Sequence, residues 1–181
     1  MDAFERVVAQ ILIHQGYWTR TEFKVELTRE DKAEIGRPTN PRWELDVLGY
    51  NPPRNEVLIV ECKSFLDSGG VHINDFDSDR KRSRRFKLFI EHKTREVVFR
   101  RLAIQLTDLQ LCQPRPLINL ALAAGKIAKG QEEITKLFDQ KGFRLFDPNW
   151  MRERLDELSQ TGYDNEIASV VSKLILRGQL D

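Results

Sequence analysis

A run of four apolar residues at positions 57–60 constrains the fold of this chain more than any other feature. Such a run leaves neither face of a strand suited to water, and it is typical of a strand in the middle of a covered sheet. The preceding segment, residues 51–55, contains two prolines, which suit a turn and not a central strand. We therefore predict a hairpin with strands over residues 42–50 and 56–64.

The remaining segments alternate between helical and strand patterns. Up to residue 124, they predict a helix over 2–15, a strand over 17–27, a loop over 28–41, one broken or two consecutive helices between 80 and 109, and a strand over 117–124. Beyond it, they predict a helix over 131–140, a short strand over 143–146, and helices that open at Asp147 and Asp164. This order predicts an α/β fold in which helices flank a central mixed sheet.

Length and composition predict one domain over residues 1–181, since 181 residues with 40% hydrophobic content suffice for one buried core. We place the core at about 2–124 and a carboxyl-terminal helical elaboration at about 125–181. Cys62 and Cys112 form neither a disulfide framework nor a zinc motif. Without a signal-peptide pattern or an apolar run of roughly 18 residues, we expect a cytoplasmic protein that does not enter a membrane.

The basic residues are unevenly distributed, although the formal net charge is only +1. Between positions 80 and 101 there are ten lysines and arginines against two glutamates. These residues predict a groove that holds a nucleic-acid backbone through phosphate contacts. The alternative is a solvated helix face. The candidate contacts are Arg80, Lys81, Arg82, Arg84, Arg85 and Lys87.

Three polar residues interrupt the hairpin where a buried sheet should be apolar: Asp46, Glu61 and Lys63. Residues two apart on a strand share a face, so Glu61 lies beside Lys63. If the turn pairs position 51 with position 56, Asp46 faces Glu61 with Cβ atoms about 4.5 to 5.5 Å apart. Two carboxylates this close repel each other unless a cation or a proton lies between them. A register slip of one residue would remove the site.

Hard oxygen ligands without a histidine or cysteine cluster suit Mg²⁺ or Mn²⁺. Such a metal activates water and neutralises phosphate charge, while the ammonium of Lys63 can stabilise the attacking hydroxide. The pattern therefore predicts phosphodiester hydrolysis. Two alternatives remain: Glu61 and Lys63 on a solvated strand edge, or a buried ionic triad with Asp46, which would seldom favour stability.

Asp46, then fourteen residues, then Glu61-Cys62-Lys63 on the next strand resembles the PD-(D/E)xK, or restriction-endonuclease-like, nuclease superfamily over residues 2–124. Leu45 stands where the family name has a proline. The resemblance implies an αβββαβ core and a Mg²⁺ dependence that Mn²⁺ can satisfy. It also implies Asp46, Glu61 and the carbonyl of Cys62 as metal ligands, Lys63 as the catalytic lysine, and Glu5 as an accessory acid.

Glu5 and Gln105 each have a second interpretation. Glu5 is either the accessory acid or a surface acid that stabilises a helix start. Gln105 lies on an apolar helix stripe, so its amide either reaches the active site or is satisfied within the core.

The expected function is a DNA endonuclease or exonuclease in repair, restriction or defence, with DNA favoured over RNA. The alternative is a non-catalytic nucleic-acid-binding module of the same fold. A homodimer would allow the enzyme to cut both strands.

Overall fold

A computed structural model of the protein describes residues 2–39, 42–78, 81–128 and 130–177. The strands are β1 (Trp18–Glu26), β2 (Arg42–Asn51), β3 (Glu56–Lys63), β4 (Leu117–Ala124) and β5 (Arg144–Phe146). The α-helices are α1 (Ala3–His14), α2 (Arg29–Glu34), α3 (Lys87–Ile90), α4 (His92–Asp108), α5 (Gln131–Lys141), α6 (Pro148–Ser159) and α7 (Ile167–Leu176). None of these helices has both the length and the apolar composition needed to cross a membrane.

The five described strands form one mixed sheet in the order β1-β2-β3-β4-β5. The first three strands are antiparallel, and β4 and β5 each join in parallel. A parallel neighbour requires a crossover connection, and α3 and α4 lie in the one between β3 and β4. The predicted α/β class with a mixed sheet is confirmed.

The sheet is covered on both faces. Along β3, Val57 and Ile59 belong to one core, while Leu58 and Val60 belong to a second core. Residues of α3, α4 and α5 complete the first core, and residues of α1 and α6 complete the second. The side chains of residues 57–60 are fully buried, which confirms the prediction from their apolar run and agrees with the position of β3 as the middle strand of the sheet.

The predicted loop over residues 28–41 is wrong in part, because α2 lies within it. Thr28 and Asp31 form a capping box, which satisfies amide groups at the start of this short helix. Asp31 also accepts ion pairs from Arg100 and Arg101 on α4. These contacts hold a six-residue helix that would be unstable alone. Positions 40 and 41 lie outside the described residues.

The basic region is divided more than we predicted: a 3₁₀ helix (Lys81–Arg85) precedes α3, and α3 and α4 are separated at Glu91. Near the carboxyl terminus, α7 begins at Ile167 with Glu166 as its N-cap, and not at the predicted Asp164. Asp164 instead accepts a hydrogen bond from Ser169. The short strand predicted over residues 143–146 is confirmed as β5, which extends the sheet beside β4.

A buried carboxylate lies at the start of β3. Glu56 is 2% exposed. Its Oε1 forms an ion pair with the guanidinium of Arg144 at 2.5 Å and accepts a hydrogen bond from the side-chain amide of Asn119 at 3.0 Å. Burial alone would raise the pKa of Glu56, but the hydrogen bond from Asn119 and the charge of Arg144 outweigh it, so the pKa is lowered. The ionised form of Glu56 therefore contributes to the stability of this end of the sheet.

We expect Glu56→Gln to lower the free energy of unfolding by about 2 kcal/mol near neutral pH, because it leaves Arg144 without its buried partner. A lowered pKa contributes stability above the pKa of the unfolded chain, and this contribution is lost as the pH falls through the folded value. Urea denaturation should thus show the gap between wild type and variant closing in acid. A gap of constant size across the acid range would contradict the assignment.

Candidate active site

Strands β1 and β2 are irregular at the position of Asp46. The β1–β2 ladder pairs Thr21 with Val47 and Phe23 with Leu45, but the rung between them, Glu22 opposite Asp46, is missing. Glu22 has a φ of +53°, a left-handed conformation that a residue with a side chain rarely adopts.

The same irregularity appears in the packing of β2. Leu45 packs in the first core and Val47 in the second, although residues two apart on a regular strand share a face. The alternation of side chains is therefore interrupted at Asp46, and its carboxylate is turned relative to its neighbours.

The β2–β3 register is the one predicted from the hairpin, running from Asn51 opposite Glu56 to Val47 opposite Val60. The ladder then stops. The amide N–H of Cys62 donates instead to Oδ2 of Asp46 at 2.7 Å. A side-chain oxygen thus takes the place of a backbone acceptor, which fixes the Asp46 carboxylate beside the end of β3.

The ammonium of Lys63 lies among three oxygen atoms. Its Nζ is 3.3 Å from Oδ2 of Asp46, 3.0 Å from the carbonyl oxygen of Cys62 and 3.6 Å from Oε2 of Glu61. The side chains of Asp46, Glu61 and Lys63 are 25%, 14% and 17% exposed. The structure therefore brings the three predicted residues together, with the ammonium as the cation near both carboxylates.

Burial and charge shift the pKa values in this cluster. Burial raises the pKa of Glu61 to about 7, with a further contribution from the charge of Asp46 and opposition from Lys63. For Lys63, burial disfavours the charged form, but Glu61 and Asp46 outweigh it and raise the pKa. Lys63 is therefore a permanent hydrogen-bond donor near neutral pH, whereas Glu61 exists in both protonation states.

The oxygen atoms around the ammonium suit a hard divalent cation. They comprise two carboxylates and one backbone carbonyl, a ligand type that Mg²⁺ accepts together with water. Cys62 contributes no sulfur, because its side chain packs against the second core and burial raises the pKa of its thiol. Asp46, Glu61 and the carbonyl of Cys62 are the groups that fit a metal.

A metal ion held by this cluster would need the backbone carbonyl of Cys62 as a ligand. Within residues 2–39, 42–78, 81–128 and 130–177, no three histidine, cysteine, aspartate or glutamate side chains form a group that could hold a metal ion. Comparison with known proteins identifies no relative of this chain. No family model, curated protein or solved structure matches it.

Glu5 stabilises the start of its helix, which is one of the two interpretations of its sequence position. Its Oε2 accepts the N–H of Asp2 at 3.3 Å and completes a capping box at the start of α1. Burial raises the pKa of Glu5, and the charge of Asp46 adds to this effect. Glu5 thus caps its helix and also lies close enough to the cluster to interact with Asp46.

Gln105 lies away from the carboxylates. Its side-chain carbonyl accepts the N–H of Glu26 at 2.9 Å, and its amide donates to the carbonyl of Lys24 at 3.0 Å. Both groups therefore pair with the outer edge of β1. This placement supports satisfaction within the fold and corrects the expectation that Gln105 reaches the active site.

Part of the predicted basic groove is engaged in the fold. Arg82 pairs with Asp75 at 3.1 Å and donates to the carbonyl of Gly70 at 3.2 Å. These contacts anchor the segment after β3, and the Arg82 side chain is 51% exposed while it makes them. Arg80 and the side chain of Lys81 lie outside what the structure describes.

Arg84 and Arg85 are exposed, and Arg85 is near the end of β3. Its guanidinium lies 6.0 Å from the ring centre of Phe65, which follows Lys63 by two residues. Lys87 is half-buried at the start of α3. Among the predicted phosphate ligands, Arg85 thus has the clearest link to the candidate site. Phe65 was not predicted, because a lone aromatic residue in a loop carries no functional signal.

Glu22 offers a test of the backbone irregularity. Glycine adopts positive φ readily, whereas a left-handed alanine costs roughly 1–2 kcal/mol. We expect Glu22→Gly to be more stable than Glu22→Ala by about 1 kcal/mol in urea denaturation. The comparison removes the carboxylate from both variants, so it isolates the backbone.

Lys24 provides the matched control. It is exposed on the same strand, two residues away, and is not among the positive-φ residues. There the order should reverse, with alanine more stable than glycine by roughly 0.5–1 kcal/mol. Alanine being the more stable residue at both positions would contradict the left-handed conformation of Glu22.

Proposed function

We propose that this protein is a metal-dependent nuclease of the PD-(D/E)xK type that hydrolyses phosphodiester bonds in DNA. One observation carries the proposal: an acidic pair and a backbone carbonyl lie within 3.0–3.6 Å of a lysine where the middle of β2 meets the end of β3. A cluster serving stability alone would seldom improve on apolar residues at these positions. The same groups are suited to the hydrolysis of a phosphodiester, which would account for their presence at these positions.

The order of elements supports the same proposal. Helix α1, strands β1 to β3, helix α4 and strand β4 follow the αβββαβ order of the restriction-endonuclease-like core. On this assignment α2 and α3 are insertions, and β5 to α7 are additions. The family's acid and Glu-x-Lys positions correspond to Asp46 on β2 and to Glu61 and Lys63 on β3.

Each residue of the cluster has a distinct proposed role. Asp46, Glu61 and the carbonyl of Cys62 would hold Mg²⁺ or Mn²⁺, which when bound supplies charge neutralisation at the phosphate and an acidified water. Lys63 keeps its proton and donates N–H bonds to the developing negative charge as water attacks phosphorus and the bond to the leaving oxygen breaks. The backbone N–H of Cys62 holds the carboxylate of Asp46 in place.

The surface beside the cluster suits a nucleic-acid backbone. Arg84 and Arg85 are exposed, and Arg85 lies near Phe65 just beyond Lys63. Guanidinium groups there can contact phosphates flanking the bond to be cut, and such contacts are independent of sequence and weakened by salt.

The test is a cleavage assay with plasmid DNA, single-stranded DNA and RNA, each in Mg²⁺, in Mn²⁺ and in excess chelator. We expect cleavage of DNA that requires metal and is lost in Asp46→Asn, which keeps the shape of the side chain but removes its charge. Glu44→Gln is the matched control, since Glu44 is an exposed carboxylate two residues away on β2.

Two results would contradict the proposal. Cleavage that persists in chelator, or in Asp46→Asn, would exclude this cluster as its source. Salt-sensitive DNA binding without cleavage of any substrate would favour a non-catalytic nucleic-acid-binding module, in which Arg84 and Arg85 act and the cluster does not.

A further inference from the structure

Helix α7 presents apolar side chains to solvent and buries polar ones. Ser169 and Ser172 are 0% and 5% exposed. The large apolar side chains are 39–75% exposed: Ile167, Val170, Val171, Leu174 and Ile175. Their spacing of three, one, three and one residues forms a single stripe on the helix. Within the part of the chain that the structure describes, this stripe is open to solvent, which is unusual for a surface helix.

The stripe borders a groove between α7 and α1 with a volume of about 530 Å³. Most of the residues that line the groove are apolar and come from three helices, among them Val7 of α1, Leu155 of α6 and Ile175 of α7. Arg6, Gln10 and Glu166 line it as well. An apolar groove beside a helix is the surface into which an amphipathic helix packs. Such a partner needs apolar residues at the spacing that α7 itself has, so the surface is suited to a second copy of α7.

Charge sets the direction of that second helix. Acidic residues, Asp164 and Glu166, stand before the start of α7, while basic residues, Lys173 and Arg177, lie in and just beyond its last turn. Lys173 interacts electrostatically with Asp164 of its own chain. The described hydrogen bonds of Arg177 are to backbone carbonyls, so its positive charge is the one available to an acidic residue of a partner. Two copies of α7 in antiparallel orientation would place the acidic end of each beside the basic end of the other.

We infer that α7 and the α1–α7 groove form a two-fold homodimer interface in which the α7 helices of two copies pack antiparallel. A two-fold interface uses the same surface on both copies, as this self-complementary stripe allows. The inference does not depend on the proposed nuclease activity, because none of Asp46, Glu61 and Lys63 lines the groove.

Sedimentation velocity over a range of concentrations from about 1 to 200 µM tests the inference, a range that spans typical homodimer affinities. We expect the wild-type protein to form a dimer, and Leu174→Lys to weaken dimerisation at least tenfold. Leu109→Lys, which alters an exposed leucine after α4, should leave it unchanged. Circular dichroism melts of each variant verify that the fold is retained.

A charge-reversal pair tests the antiparallel orientation. We expect Glu166→Lys to weaken the dimer and the double variant Glu166→Lys with Arg177→Glu to restore it, because antiparallel helices centred on the stripe place these two positions side by side. Asp46→Asn should dimerise normally, so a failed nuclease assay leaves this result independent.

A protein that is monomeric throughout, or a dimer indifferent to Leu174→Lys, would overturn the inference. So would a monomer that binds vesicles of mixed anionic lipid through Leu174, since that would identify the stripe as a membrane-binding face.

Discussion

The Lys63→Ala variant is expected to cleave DNA about 10³-fold more slowly than the wild-type protein, because it removes the ammonium that would stabilise charge at the phosphate. The loss should appear mainly in kcat, since the interaction is stronger in the transition state than in the bound substrate. Single-turnover cleavage rates at saturating protein measure the effect directly.

The same variant separates catalysis from metal binding. Without the ammonium, Asp46, Glu61 and the Cys62 carbonyl lose their internal cation, so Mn²⁺ affinity in calorimetry should be kept or increased. Lys24→Ala removes an exposed lysine from β1 and serves as the control for charge. Full cleavage by Lys63→Ala would exclude the proposed role of the lysine, and a loss of Mn²⁺ binding would indicate that the site had collapsed.

Glu61→Gln is expected to stabilise the metal-free protein above neutral pH by on the order of 3 kcal/mol, corresponding to a pKa raised from 4.5 to about 7. A carboxyl whose folded pKa is raised contributes stability that is fully present below the unfolded pKa and is lost as the pH rises through the folded value. The wild-type protein should therefore lose stability between about pH 4.5 and 7, whereas the glutamine variant should not.

Urea denaturation in excess chelator across this range measures the difference. Glu44→Gln, at an exposed site on β2, should follow the wild-type curve. Saturating Mg²⁺ should restore stability to the wild-type protein and have little effect on Glu61→Gln, because a ligand stabilises only a fold that binds it. Parallel curves for wild type and Glu61→Gln would show that Glu61 does not carry the predicted burial cost.

The sheet and the position of the cluster could be predicted from sequence because two local signals fix them. The apolar run at 57–60 places β3 in the interior, and the proline-containing turn sets the hairpin register. A register that pairs Val47 with Val60 leaves Asp46 next to the end of β3. Periodicity and turn length therefore determine which residues meet.

The orientation of the side chains within the cluster could not be predicted from these signals. The left-handed conformation of Glu22 is imposed by its neighbours, since glutamate has no preference for it. Likewise, the position of Gln105 depends on β1, an element far from it in the chain. Periodicity identifies a face of a helix but not the partner that faces it.

The pairing of Gln105 with β1 has a consequence for how this protein behaves when crowded. β1 is the outermost strand of the sheet beyond β2, and an outermost strand can template the addition of a foreign strand. By occupying the N–H of Glu26 and the carbonyl of Lys24, one amide side chain imitates a neighbouring strand and blocks that addition. Gln105 thus covers part of the edge at which a foreign strand could add, and we expect its replacement by alanine to lower the solubility of the protein.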